Sequence, residues 1–263
     1  MIRLFTSSYD DVQAGRNSEL RECLERNVAC AAIDEILVLA EKRHGHIPRS
    51  EKIRIRPIAL RPCYDDFFRW INEIAGPEDI SIIANPDIFF DASARVLQTR
   101  NPRRDEVFAL SRWDLLARGE SRLYDHNDSQ DTWIVRGKVN HVGGDFPIGV
   151  PRCDNRVASE FEKAGYRVLN PSFSIRSFHL HAGNRVPYAT NCRPDFVAPP
   201  YKYVWPHNLA GLPATAWHNL LHPSYRLGWR VDRRLWTRRL KLRGFRALKE
   251  LAAAIAMTKR PRG

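Results

Sequence analysis

The sequence is short of the features that would place a chain in a membrane or in an oxidising compartment. No stretch approaches the roughly 18 uninterrupted apolar residues of a spanning helix, because Arg, Lys or Asp breaks every apolar run. The opening Met-Ile-Arg-Leu-Phe-Thr-Ser-Ser-Tyr-Asp carries no apolar signal-peptide core. Cysteines are few and odd in number, five in all (Cys23, Cys30, Cys63, Cys153, Cys192), with no CxxC pair. That pattern favours a reducing cytoplasm over a disulfide framework. Internal repeats and low-complexity blocks are also missing, which sets aside solenoids and disordered polymers.

What is present describes a folded chain. Of 263 residues, 43% are hydrophobic and 10% aromatic, including seven Trp spread along the length, so disorder is excluded. The length suits one large α/β domain with a tail better than two ordinary domains. The net charge of +12 invites a nucleic-acid reading until its distribution is counted. Residues 226 to 263 hold thirteen Lys and Arg against Asp232 and Glu250, a balance of +11 that leaves +1 for the first 225 residues. The basic character belongs to the tail.

Apolar periodicity gives the order of elements. Residues 2 to 9 read as a strand, and 17 to 32 place Leu20, Cys23, Leu24, Cys30 and Ala31 at helical spacing, with Asn17 or Ser18 as cap. Ile36 to Ala40 is a strand-length apolar run; Tyr64 to Ile74 is amphipathic and stopped by Gly76-Pro77. Ile80 to Asp91 reads as a buried strand, followed by strands near 107 to 110 and 132 to 135, a helix over 156 to 164 ended by Gly165, and a strand over 167 to 169. Such alternation predicts an α/β fold with a mostly parallel central sheet covered by helices, closing near residue 195, with residues 1 to 195 as one large domain and 196 to 263 as a Trp- and Arg-rich helical extension. In such sheets ligands gather at the carboxyl ends of the strands.

Several short patterns could carry chemistry there. Asn85-Pro86-Asp87 ends its apolar run with oxygen ligands suited to a hard divalent cation, Mn²⁺ or Mg²⁺; the alternative is a plain turn. The Gly143 to Gly149 loop lets backbone approach a ligand, and Asp154, just before a helix, is a general base or an N-cap. His179 and His181 would point the same way on an extended segment and either could ligate a metal, unless both are surface histidines. Ser111-Arg112-Trp113-Asp114 and Gln130-Asp131-Thr132-Trp133 each set an acid beside a Trp, as a sugar-binding wall needs, although a core Trp beside a turn Asp reads the same way.

In order along the chain, Thr6-Ser7-Ser8-Tyr9, Asn85-Pro86-Asp87, the Gly143 to Gly149 loop, Cys153-Asp154, Gly165-Tyr166-Arg167-Val168 and His179/His181 resemble GT-A-fold glycosyltransferases. Phrases such as Ala-Asn-Pro-Asp-Ile-Phe-Phe-Asp and Ile-Gly-Val-Pro-Arg-Cys-Asp-Asn-Arg look like those of bacterial polysaccharide glycosyltransferases. The resemblance spans roughly residues 2 to 185. It implies a GT-A-like, Rossmann-like domain in which Asp87 and a late histidine, His181 or His179, hold a divalent metal. Thr6, Ser7, Tyr9, Arg61, Asn85 and Asp87 would contact the nucleotide sugar, a UDP-sugar foremost. Asp154 would be the base, with Asp131 in reserve, and Trp113, Asp114, Trp133 and Gly149 would face a glycan or lipid-linked acceptor. Arg185 is a further cation available for the leaving diphosphate. The sequence departs from the DxD pattern of that family by placing the neutral Asn85 where its first acid stands, which leaves metal dependence open.

The tail mixes Trp229, Trp236, leucines and arginines, as an interfacial helix on anionic lipid does. Peripheral attachment to the inner face of the plasma membrane through residues 226 to 263 follows as an expectation, against the alternative of a solvated basic helix. A nucleic-acid-binding protein using the same tail is the competing function, and the near-neutral core and absence of a nucleic-acid motif weigh against it. A nucleotidyltransferase would show a glycine-rich, Lys- or Arg-bearing loop after the first strand, which Thr6 to Gly15 lacks.

Overall fold

The computed structural model describes residues 1–12, 14–41, 45–116, 119–180 and 196–221. Along the chain run β1 (Ile2–Ser8), α1 (Ala14–Ala29), β2 (Glu35–Glu41), β3 (Ile53–Ile58), α2 (Tyr64–Ile74), β4 (Ile80–Ala84) and β5 (Ile88–Phe90). A 3-10 helix over Ala92–Gln98 leads to β6 (Glu106–Leu110), β7 (Arg112–Leu115), β8 (Ser121–Leu123) and β9 (Thr132–Arg136). The rest comprises α3 (Cys153–Lys163), β10 (Arg167–Leu169), β11 (Ser177–His179) and α4 (Leu212–Leu221).

Seven strands form the central sheet in the order β10-β6-β9-β4-β1-β2-β3, all parallel except β9. The mostly parallel α/β sheet read from the sequence is the one the chain adopts. Its central strands are apolar on both faces because both are covered. Leu4, Val38, Ile82 and Ile134 pack on the side of α1 and the 3-10 helix. Phe5, Leu37, Ile83 and Trp133 pack under Tyr64, Phe67 and Ile71 of α2 and Val157 and Phe161 of α3. At about 25 cal/mol per Å² of apolar surface, two such layers supply the main stabilisation.

A second, four-stranded sheet, β5-β11-β7-β8, was not foreseen. The expected single strand over Ile80 to Asp91 divides at Asn85-Pro86-Asp87: β4 belongs to the central sheet and β5 to the small one. Proline supplies no N–H and fixes φ, so the ladder must end there and the chain changes sheets. The free edge of β5 is covered by Asn27 of α1, whose amide donates to the Ile88 carbonyl at 2.8 Å and accepts from the Phe90 N–H at 3.1 Å. Asn17, read as a cap, lies inside α1 instead and ties the preceding loop by a pair of bonds to the Asp11 backbone, at 2.8 and 3.0 Å. The edge strand β3, Ile-Arg-Ile-Arg-Pro-Ile, was also unforeseen, and Pro57 is tolerated because it lies on an edge. Residues 197 to 208 bond back to the domain, Lys202 N–H to Asn155, Val204 N–H to Asn127 and His207 N–H to Asn170, each at 2.8 to 2.9 Å. The basic tail beyond residue 221 lies outside the described residues.

Candidate active site

A cleft opens at the carboxyl ends of β1, β2 and β4, lined by Ser7, Tyr9, Glu41, Asn85 and Asp87 on one side and by Gly149, Arg152 and Asp154 on the other. β9 supplies a further wall because it runs against its neighbours. Its register pairs Thr132 with Ala84, so Gln130 and Asp131, which precede it, arrive at the edge where the parallel strands end.

Asp87 forms one pole of the site. It is 4% exposed. Its Oδ2 accepts from the Arg16 guanidinium at 2.7 Å and lies 3.2 Å from His179 Nε2. The register of β11, with His179 opposite Ile88 on one side and Asp114 on the other, sets the imidazole between two carboxylates, and its Nδ1 is 3.2 Å from Asp114 Oδ1. Burial alone would push the Asp87 carboxyl up, but the hydrogen bond and charge of His179 and then the charge of Arg16 hold it well below the usual carboxylate range. For His179, burial favours the neutral ring, and the bonds to Asp114 and Asp87 outweigh it, raising the pKa to about 9. His179 is therefore an imidazolium donating from both nitrogens. The chain of charges continues: Arg112 reaches Asp114 at 2.9 Å and Asp131 at 3.1 Å, and Asp131 accepts from the Asn85 amide at 2.8 Å.

Asp154 forms the other pole, in the first turn of α3 and partly open to the cleft. It accepts backbone N–H bonds from Asn155 at 2.9 Å and Gln130 at 3.2 Å. No basic side chain reaches it among the described residues. Loss of water around it pushes its pKa up, the charge of Asp131 adds to that, and the backbone donors oppose, for a value of about 7. The neighbouring Cys153 thiol is pushed up to about 12 by burial and by Asp154, so it stays protonated and is no nucleophile.

No protein-family model matches the sequence, and no curated protein matches it. Solved structures with a similar chain path exist. One is the mannosyltransferase PcManGT from Pyrobaculum calidifontis in complex with GDP-Man and Mn2+, at 12% identity and a TM-score of 0.46 over 71% of this chain and 58% of that one. Another is S. aureus TarS 1-349 in complex with UDP-GlcNAc, at 11% identity and a TM-score of 0.44 over 70% of this chain and 59% of that one. A third is 4-diphosphocytidyl-2C-methyl-D-erythritol synthase from Anaerococcus prevotii, at 11% identity and a TM-score of 0.42 over 64% of this chain and 88% of that one. This chain thus spans less than two thirds of the first two. Likenesses this distant concern chain path, and the chemistry rests on the groups in the cleft.

The cleft brings together eight residues expected from sequence: Ser7, Tyr9, Arg61, Asn85, Asp87, Asp131, Gly149 and Asp154. Others lie elsewhere. Thr6 is buried and donates to the Ala84 carbonyl at 3.0 Å, tying β1 to β4. Trp133, read as an acceptor platform, is 1% exposed in the core beneath α2, in edge-to-face contact with Tyr64. Trp113 is 8% exposed, and its indole N–H donates to Ser172 at 2.9 Å. Neither indole lines the cleft: an acid beside a Trp marks the end of a strand equally well when the Trp packs inward. Asp114 is spent on Arg112 and His179 and does not line the cleft. Gly144 serves α2, since a β-carbon there would come within 2.6 Å of the Asp65 carboxylate. His181 and Arg185 lie outside the described residues. Sequence reading assigned no role to Arg16, to Arg112 of the Ser111 to Asp114 pattern or to Arg152 of the Ile148 to Arg156 phrase.

Whether a divalent cation fits at Asp87 is decided by that carboxylate's partners. A cation there would have to displace the Arg16 guanidinium or stand beside it and an imidazolium; the Asn85 Nδ2 donates to Asp131, while its Oδ1 is buried without a hydrogen-bond partner among the described residues. Among the described residues no three His, Cys, Asp or Glu side chains converge on a common point. Among the described residues the donor set as arranged does not fit Mn²⁺ or Mg²⁺; His181, the other expected ligand, lies outside them.

Proposed function

We propose that this chain is a hexosyltransferase-like glycosyltransferase that moves a sugar from a nucleoside diphosphate, UDP foremost, to a hydroxyl of a glycan or lipid-linked acceptor in polysaccharide biosynthesis. The observation that carries this reading is Asp154, an acid open to the cleft with a pKa of about 7, in a cleft that also holds guanidinium groups. Glycosyl transfer breaks the bond from the anomeric carbon to a phosphate oxygen, and its electron pair leaves with the diphosphate. A new bond forms from the acceptor oxygen to the anomeric carbon, and the acceptor's proton passes to a base. A carboxylate with proton affinity near the working pH suits that step, and fixed positive groups suit the charge that grows on the leaving oxygen. Asp131, engaged by Arg112 and Asn85, acts by raising the proton affinity of Asp154.

The test is nucleotide release from a panel of UDP- and GDP-sugars by the purified full chain, with and without glycan acceptors. Turnover that Asp154→Asn abolishes supports the reading; no turnover and no donor binding sinks it.

The same proposal assigns residues 226 to 263 to the anionic inner face of the plasma membrane, where lipid-linked acceptors are presented. Its support is compositional: thirteen Lys and Arg with Trp229 and Trp236. The full chain should pellet with anionic liposomes and a chain ending at residue 225 should not. Steeply salt-dependent RNA or DNA binding that survives Asp87→Ala would favour the nucleic-acid alternative instead.

A further inference from the structure

Four arginines line the cleft, Arg16, Arg61, Arg112 and Arg152, and they divide into two kinds. Arg16 is bound by Glu19 at 2.8 Å and Asp87 at 2.7 Å, and Arg112 by Asp114 and Asp131 at 2.9 and 3.1 Å. Their charge is neutralised by carboxylates of the chain itself. Arg61, exposed in the loop between β3 and α2, has no carboxylate partner among the described residues, and Arg152, at the start of α3, has only the face of Tyr201, 5.7 Å away. Among the described residues two guanidinium groups without a carboxylate partner therefore face one cleft, whose acids are Asp87 and Asp131, engaged by arginines, Asp154, which holds its proton to about neutral pH, and Glu41.

Arg152 also holds a left-handed backbone, φ 72° and ψ 1°, a conformation that glycine adopts freely and a residue with a β-carbon adopts at a cost. Beyond the Tyr201 ring, its side chain has no ion pair or hydrogen bond among the described residues. An arginine fork matches phosphate oxygens bidentately, which a point charge does not.

Resting on the glycosyltransferase reading above, we propose that Arg61 and Arg152 together hold the donor's diphosphate, in place of a divalent cation bridging it to Asp87. The anionic group then lies at the mouth of the cleft between β3–α2 and α3, and Arg16 and His179 serve to keep Asp87 ionised and fixed.

The deciding measurement is calorimetric titration of the full chain with UDP, GDP, ADP and CDP and with the matching nucleosides, once in a metal chelator and once with Mn²⁺. At least one diphosphate should bind in chelator with an affinity within about threefold of that with Mn²⁺, given that the cation adds no contact. Arg61→Ala and Arg152→Gly should each weaken that nucleotide by about tenfold or more, as loss of a charged hydrogen bond does, and change the nucleoside by less than about twofold. Arg152→Gly suits the left-handed backbone, so its melting temperature should hold or rise, which separates lost binding from lost folding. Binding that appears only with Mn²⁺, or that both substitutions leave unchanged, overturns the clamp alone. Failure of every diphosphate in both conditions overturns the clamp together with the donor reading.

Discussion

Asp87 and Asp154 share one cleft, yet their surroundings drive their protons in opposite directions. Asp87 meets an imidazolium and a guanidinium at 3.2 and 2.7 Å, which hold its carboxyl as an anion to well below the usual carboxylate range. Asp154 meets backbone N–H groups and the negative field of Asp131, so it exchanges its proton near neutrality. Burial pushes both carboxyls the same way. The sign is decided by which charge the fold brings nearest: the reversal of β9 brings an acid to Asp154, and the register of β11 brings a base to Asp87. One acid is built to hold structure and the other to take a proton.

The comparison breaks most visibly at Asp154. Asp154→Asn should lower sugar transfer by about 10² to 10⁴-fold, the usual worth of a general base, while the Kd for the nucleotide stays within about threefold. Single-turnover rates and nucleotide titration separate the two. Loss of binding with an unchanged rate of transfer would assign Asp154 to the donor and leave the base unidentified.

Asp87 should respond in the opposite sense. Asp87→Asn leaves Arg16 and His179 buried beside a neutral group, and removing one partner of a buried charge set costs about 3 to 5 kcal/mol. Urea unfolding should show a lowered midpoint with an unchanged slope. Equal stability of the Asp87 and Asp154 variants would mean that the two carboxylates do not differ in the way their partners indicate.

Much of this contrast was legible in the sequence, though only its acids. Asp87 follows an apolar run and a proline, and Asp154 precedes an amphipathic helix, so each carries a local signature. Of their partners, His179 was read only as a metal ligand, and Arg16 carries no local signature. Asp87 meets Arg16 across 71 residues and His179 across 92, the first from α1 and the second from β11 of the small second sheet. That sheet is built from strands of three or four residues, too short for a period to emerge from side-chain alternation. The central sheet was legible because strands covered on both faces must be continuously apolar, as Ile36 to Ala40 and Ile80 to Ala84 are. The two tryptophans misled for the converse reason: Trp133 lies on a strand flanked by β4 and β6 under two helices, a burial that local sequence does not encode.

His179 sharpens the Asp87 side through pH. Its pKa rises from an ordinary 6.5 to about 9 on folding, so the stability it contributes is fully present below 6.5 and is lost as pH rises through about 9. Asp87 moves downward, so its own contribution is present above its ordinary 3.8 and fades only in strong acid. Melting temperature should therefore fall between pH 6.5 and 9, and His179→Gln should be less stable at pH 6 with a flatter alkaline slope. Parallel slopes for both proteins would remove His179 from the linkage.

The smallest effects belong to the neighbours of Asp154. With a base of pKa about 7, the transfer rate should fall about tenfold for each unit of pH below that value. Asp131→Asn removes the like charge that follows burial as a cause of the raised value, so the acid limb of the rate profile should move to lower pH. It should stay above 3.8, because burial, the larger cause, remains. Asp128→Asn acts through the same field more weakly, and should move the limb the same way by less. Asp114→Asn alters the same arginine as Asp131 but has no place among the charges acting on Asp154, so it should leave the limb where it is. A limb that shifts equally for Asp114→Asn and Asp131→Asn would trace the proton affinity of Asp154 to Arg112, and the two poles of the cleft would then be one coupled network.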